Sequence, residues 1–324
     1  CVVLFFVFGG VIAAALPAPA AAWAQEAAPP SEPAPDIVLA LLSRQVTRMS
    51  IAVRVAGQAA LFVIDTGAGR SAMAAELAAR LGLKPGPSVL VHGVTEPEVL
   101  PSALTPVIEV GGQNFRDLTL PTAPLPQLGA EGLLGLDILG QFRLTIDNAA
   151  HMVTLASRVR GVVTGGSGFV TGSRLRRETT VAVRRRGDQL TLIGVSADDI
   201  PVEAFIDTGA QYSVGNPALL RSLAVDRAGT RGRRYDVPVM GVTGQRLIGE
   251  VAVIRALRIG AATLTELPAV FADLHAFRVL GLEDRPALLL GSDLIGAFNA
   301  VTLDFVGGEV RFGSLRRRPA QVVD

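Results

Sequence analysis

Aspartate followed by threonine and glycine occurs twice in this chain, as Asp65-Thr66-Gly67 and Asp207-Thr208-Gly209. Each triplet follows an apolar run ending in isoleucine, and each is followed by alanine, Ala68 and Ala210. A single triplet of this kind reads as a turn after a strand, with the aspartate bonding to backbone just ahead of it. A pair allows different chemistry. Two carboxyls within hydrogen-bonding distance do not both ionise readily, so at neutral pH or below they hold one proton between them. The ionised member can take a proton from water while the protonated one donates to the oxygen of a carbonyl under attack. Hydrolysis by such a pair requires no covalent intermediate, metal or organic cofactor.

Other residues offer less. Cys1 is the single cysteine, so there is no intrachain disulfide and no cysteine-based zinc site. His92, His151 and His275 are far apart in sequence with no metal-ligand spacing, which argues against a metal hydrolase. The formal charge of +1 leaves no global field to attract nucleic acid, so any partner is recognised locally. Asp137 and Asp293 each precede a short apolar segment and read as helix caps.

The elements that must position the two aspartates also come twice, in the same order. Ile51, Val53 and Val55 alternate ahead of a Gly57-Gln58 turn, and Leu61-Phe62-Val63-Ile64 then leads into Asp65. In the second copy Val202-Glu203-Ala204-Phe205-Ile206 leads into Asp207. A short helix follows each triplet: 74–81, stopped by Gly82, and 217–223, capped by Asn216 with Pro217 at its first position. His92-Gly93-Val94-Thr95 matches Met240-Gly241-Val242-Thr243, each inside an expected hairpin. Leu133-Leu134-Gly135-Leu136-Asp137 matches Leu289-Leu290-Gly291-Ser292-Asp293, and each copy closes with a strand, near 145–155 and 301–312. Short alternating segments broken by Gly and Pro predict an all-β chain with few short helices, built as two small closed barrels related by internal duplication.

The doubled triplet with its later Leu-Leu-Gly resembles the retropepsin-like aspartic proteases, in the bacterial form with two lobes in one chain. The resemblance covers nearly all of the chain beyond its leader. It implies two retropepsin-like barrel lobes related by a pseudo-twofold, with Asp65 and Asp207 as the catalytic dyad of an endopeptidase. Leu133-Leu134-Gly135 and Leu289-Leu290-Gly291 would cross beneath the catalytic loops. Thr66 and Thr208 would turn their hydroxyls to the opposite lobe's loop, fixing the separation of the carboxylates. Gly67 and Gly209 would leave room for backbone amides to approach them. Ala68 and Ala210 stand where pepsin-like enzymes often carry a hydroxyl donor, which predicts a mildly acidic optimum. The tips at His92, Gly93 and Val94 and at Met240, Gly241 and Val242 become candidate flaps over a peptide or protein substrate, with ordinary β turns as the other reading. His92 itself reads as solvent-exposed. Two further readings stay open: a non-catalytic peptide-binding protein of the same fold, and a dimer whose dyads form between chains.

The expected organisation is a signal peptide at 1–24, a flexible Ala/Pro/Glu/Ser lead-in at 25–35, lobes at 36–157 and 176–314, a Gly-rich linker at 158–175 and a basic tail at 315–324. This predicts an exported protein, periplasmic or secreted. Membrane contact would come only through an uncleaved signal or through the arginine-rich segments, and the lobes would pair within a monomer as an intramolecular pseudo-dimer.

Overall fold

A computed structural model describes residues 2–3, 49–157, 162–165, 178–225 and 235–316. The cleavage region of the expected signal, the lead-in, most of the linker and most of the basic tail lie outside the described residues.

The first barrel begins with the alternation seen in the sequence. Ile51, Val53 and Val55 face inward from Ser50–Val55. Ala56 and Gly57, at φ of 48° and 82°, then make the tight turn that returns the chain as Gln58–Ile64. Neighbour follows neighbour from Ser50–Val55 through Gln58–Ile64, Gly132–Leu134, Ala72–Ala74, Gln113–Ala123 and Pro97–Val110. Arg54 and Val55 then pair with Glu109 and Ile108 and close the ring. The second half repeats it with Gln189–Ala197, Ile200–Ile206, Ala287–Leu290, Val214–Gly215, Ala262–Phe271 and Arg246–Ile259. Its closure is the pairing of Val195 with Ile259. Closing both sheets leaves few unpaired edges. The all-β, two-barrel expectation holds.

A third sheet of six strands belongs to both halves. Phe142–Asp147 pairs antiparallel with Ala300–Asp304, with Thr145 opposite Thr302, and their hydroxyls lie 3.1 Å apart. Each half therefore ends in a hairpin rather than the single strand expected. His151 at φ 53° helps reverse the first, Asp147 accepting from the Ala150 amide, and Gly308 at φ 65° the second. Val162–Gly165, placed in the linker by sequence, is a strand against Met152–Ser157. Its valines and threonine carry β propensity that outweighs the neighbouring glycines.

The helices are short. Ala75–Arg80 stops before Gly82, whose φ of 62° releases the chain, and Asn216 Oδ1 accepts the Leu219 amide at 2.8 Å to cap Pro217–Val225. Asp137 and Asp293 are not caps. Gly135 and Gly291 hold the N-cap positions of Leu136–Leu139 and Ser292–Ile295, and the aspartates fall inside the first turn. A Cβ on either glycine would collide with the backbone of Arg70 or Tyr212, so the cap position must stay bare there.

Candidate active site

Each catalytic-loop candidate leaves the end of a barrel strand. Gly132–Leu134 runs parallel to Phe62–Ile64 and passes its Leu134 carbonyl to the Asp65 amide at 3.0 Å; Leu290 does the same for Asp207 at 3.0 Å. The Leu-Leu-Gly strands thus cross beneath the loops. The chain then returns from the other side, Leu136 N donating to Ala68 O and Ser292 N to Ala210 O, both at 2.8 Å.

Asp65 and Asp207 are fully buried. Oδ1 of Asp65 accepts the amides of Gly67 and Ala68 at 2.9 and 3.0 Å, and Oδ1 of Asp207 accepts those of Gly209 and Ala210 at the same distances. The loops face one another. A Cβ on Gly67 would fall on the Asp207 carboxyl, and one on Gly209 would sit 2.5 Å from Cγ of Asp65. Each carboxyl thus sits against the glycine of the opposite loop, and burial pushes the Asp207 carboxyl up to about 7 although the amides around it favour its charge.

The threonines join the loops across the pseudo-twofold. Thr66 Oγ1 donates to Ile206 O at 2.8 Å and accepts from Thr208 N at 3.1 Å; Thr208 Oγ1 donates to Ile64 O at 2.7 Å and accepts from Thr66 N at 3.1 Å. Four buried bonds set the spacing of the carboxylates. Below them, Ser71 and Ser213 each present a hydroxyl to Asp137 or Asp293 at 2.7 Å and accept the amide of Gly135 or Gly291. Burial raises the Asp137 carboxyl pKa, a cost that the Ser71 bonds partly offset. Both serines lie six residues after a triplet aspartate, so aligning the two repeats would have found them.

The two tips are interlocked. Val94 is buried in a cluster with Ala210, Val239 and Phe277 of the second half, while Val242 joins the larger cluster that includes Ala68. Gln245 Oε1 accepts from the Thr95 amide and hydroxyl at 3.1 and 2.9 Å, and its Nε2 donates to Glu96 O at 3.1 Å. The bare α-carbons of Gly93 and Gly241 let the tips approach, since a Cβ on Gly93 would strike Gln245 and one on Gly241 would crowd Val94. Met240 ends its strand opposite Arg246.

His92 is buried, against the exposure expected of a hairpin tip. Only 8% of it reaches solvent, and its Nδ1 lies 2.8 Å from Nε2 of His275, the rings stacked with centroids 5.0 Å apart. The His275 amide donates to Val94 O at 2.8 Å, so one contact holds both the tip backbone and the ring. These residues are 183 apart in sequence, and nothing local announces their meeting.

Burial, then the neighbouring charge, lowers the pKa of both rings: His275 beside His92, and Arg278 beside His275, with Asp273 and Glu96 opposing. A His with a lowered pKa favours the neutral fold, so this contribution is present above its ordinary pKa of 6.5 and lost as pH falls below it. Amides of Lys84–His92 and Tyr235–Met240 should therefore exchange hydrogen faster, after correction for intrinsic rates, when pH drops from 7.5 to 5. In His275→Phe that acceleration should shrink, since buried His92 alone is left to take up a proton. Equal protection at both pH values in the unmodified protein would show that the histidines do not hold the tips.

Two family models match the chain without overlapping, one described as "gag-polyprotein putative aspartyl protease" over residues 51–141 and one as "aspartyl protease" over residues 193–294. Each spans one of the triplets and its Leu-Leu-Gly strand. The chain belongs to the retropepsin-like aspartic proteases. Both matches support activity of the aspartic-protease type in general terms, with one triplet supplied by each half. No curated protein matches the chain. Among solved structures, a retropepsin-like aspartic protease from Rickettsia conorii is similar at 14% identity, covering 42% of this chain and 89% of that one, with a TM-score of 0.28. The carbonyls of both catalytic loops are also held, Gln189 Nε2 donating to Thr66 O at 2.6 Å and Ser292 Oγ to Thr208 O at 3.1 Å.

Proposed function

We propose that the protein is an aspartic endopeptidase that hydrolyses peptide bonds with water activated between Asp65 and Asp207. The observation that carries this reading is the reciprocal bonding of Thr66 and Thr208, which joins two buried carboxylates from separate halves into one centre. One member takes the water proton, the other donates to the carbonyl oxygen, and the proton then passes to the leaving amine. Thr66, Gly67, Ala68, Thr208, Gly209 and Ala210 position the pair. His92, Gly93, Val94, Met240, Gly241 and Val242 serve as flap residues, which must part to admit an extended peptide.

The threonine bonds form within one chain, which supports a monomer with an intramolecular pseudo-dimer over dyads shared between chains. Export to the periplasm or beyond the cell rests on the apolar leader and Ala22-Trp23-Ala24.

Residues 25–324 incubated with a mixed peptide library across pH, with and without a pepstatin-type inhibitor, test the assignment. Cleavage should be inhibitor-sensitive. With the Asp207 carboxyl raised to about 7, the pair keeps its working proton through mildly acidic pH and loses it as pH rises through that value. The rate should therefore fall on the alkaline side near pH 7, and a profile that peaks below about pH 3 would contradict this. Absence of cleavage at every pH with the complete library would favour a peptide-binding role.

A further inference from the structure

The bonds that the two aspartates and their threonines make are nearly symmetric. Each Oδ1 receives two amides at matching distances, and the threonine bonds mirror one another within 0.1 Å. A peptide crossing the site has two different ends, so a proton already seated on one carboxyl would set which end it meets. Symmetric loops alone do not seat it.

The equivalence breaks one bond further out. The Thr66 carbonyl accepts Nε2 of Gln189 at 2.6 Å, a buried contact from the second barrel into the first lobe's catalytic loop. Its counterpart, the Thr208 carbonyl, accepts the Ser292 hydroxyl at 3.1 Å, from within its own lobe and only partly buried. The repeats explain the difference. Ser292 aligns with Leu136, which has no hydroxyl to offer Thr66 O, and the position is filled from the other barrel instead.

We propose, on the reading of Asp65 and Asp207 as the working dyad, that Gln189 is a positioning residue that makes the two loops inequivalent and holds the shared proton on Asp207. A donor on the Thr66 carbonyl polarises the Thr66–Gly67 peptide, and the Gly67 N–H at its other end is a donor to Asp65 Oδ1. A short amide contact in a buried place polarises more than a longer hydroxyl contact nearer solvent. Asp65 therefore carries the charge and is the base toward water, while Asp207 faces the carbonyl oxygen as the acid. Only the NH2 end of the Gln189 amide can face a carbonyl oxygen, so the orientation of that side chain is fixed.

The experiment compares Gln189→Met, which keeps the shape without the donor, with Ser292→Ala. In Gln189→Met the acidic limb of the kcat profile should move up by roughly half to one pH unit, because the Asp65 charge has lost support, with KM within about twofold. In Ser292→Ala the acidic limb should stay and the alkaline limb should move up instead. A merely structural Gln189 would lower kcat without moving either limb, and that result would overturn the proposal. The same answer is available without turnover, by following the carboxyl carbons of the unmodified protein labelled with 13C at aspartate. Between its two titration steps, Asp207 should show a protonated carboxyl and Asp65 an ionised one, with assignments from the single Asn variants. Equal intermediate shifts for the two would also overturn it. Failure to find any substrate would count against the peptidase reading, while the carbon titration would still locate the proton.

Discussion

Asp65→Asn and Asp207→Asn should each lower peptide cleavage by at least roughly 10³-fold while leaving the fold intact. The expectation rests on the division of labour within the pair. An amide can neither accept the water proton nor return one to the leaving amine, so losing either member removes general acid–base chemistry altogether. The fold should tolerate the change because asparagine keeps an oxygen for the amides of Gly67 and Ala68, or of Gly209 and Ala210, at the positions now bonded. It also relieves the cost of burying charge, so thermal stability near neutral pH should be equal or higher. Cleavage assays on each variant, with near-ultraviolet circular dichroism as the check on folding, decide the matter. Cleavage surviving in either variant would place the chemistry elsewhere.

Thr66→Val and Thr208→Val should destabilise the protein by roughly 2–5 kcal/mol each and reduce activity further than their distance from the substrate suggests. Valine keeps the shape but removes one donor and one acceptor. In Thr66→Val the Ile206 carbonyl and the Thr208 amide lose their partner inside the protein, and in Thr208→Val the Ile64 carbonyl and the Thr66 amide do. Each orphaned buried group costs about 1–3 kcal/mol. The whole stability of a domain is of order 5–15 kcal/mol, so either change consumes a large share. Urea denaturation of both single variants and of the double variant should reveal a coupling of roughly 0.5–3 kcal/mol, because the four bonds join one pair of loops. Thr66→Ser, which keeps the hydroxyl, should recover most of both losses. Additive effects without coupling would mean that the threonines support their own lobes separately rather than bridging them.

The contrast between these two experiments follows the geometry. Asparagine leaves the inter-lobe bonds in place and removes the proton chemistry; valine leaves the carboxylates and removes what spaces them. Gly67 and Gly209 lie between those effects, since any Cβ there would meet the opposite carboxyl.

What the linear chain determined is the content of each half. Alternation of apolar residues specified the strands, because a period of two places every second side chain in a barrel core. The Asp-Thr-Gly turns, the Leu-Leu-Gly crossings and the Asn216 cap were legible because each depends on residues within a few positions of one another. Duplication made a weak triplet informative. Asp137 and Asp293 were placed near helix starts but in the wrong role, since a bare glycine was needed where backbone crosses backbone and the carboxylates turned to Ser71 and Ser213 instead. Only the tertiary structure decided how the halves meet: Thr145 against Thr302 in a shared sheet, His92 on His275, Gln245 gripping the opposite tip and Gln189 beneath Thr66. Those partners are more than 120 residues apart in the chain. A side chain's local sequence constrains the backbone it sits on, whereas such a contact depends on the placement of two whole barrels, and no short pattern encodes that.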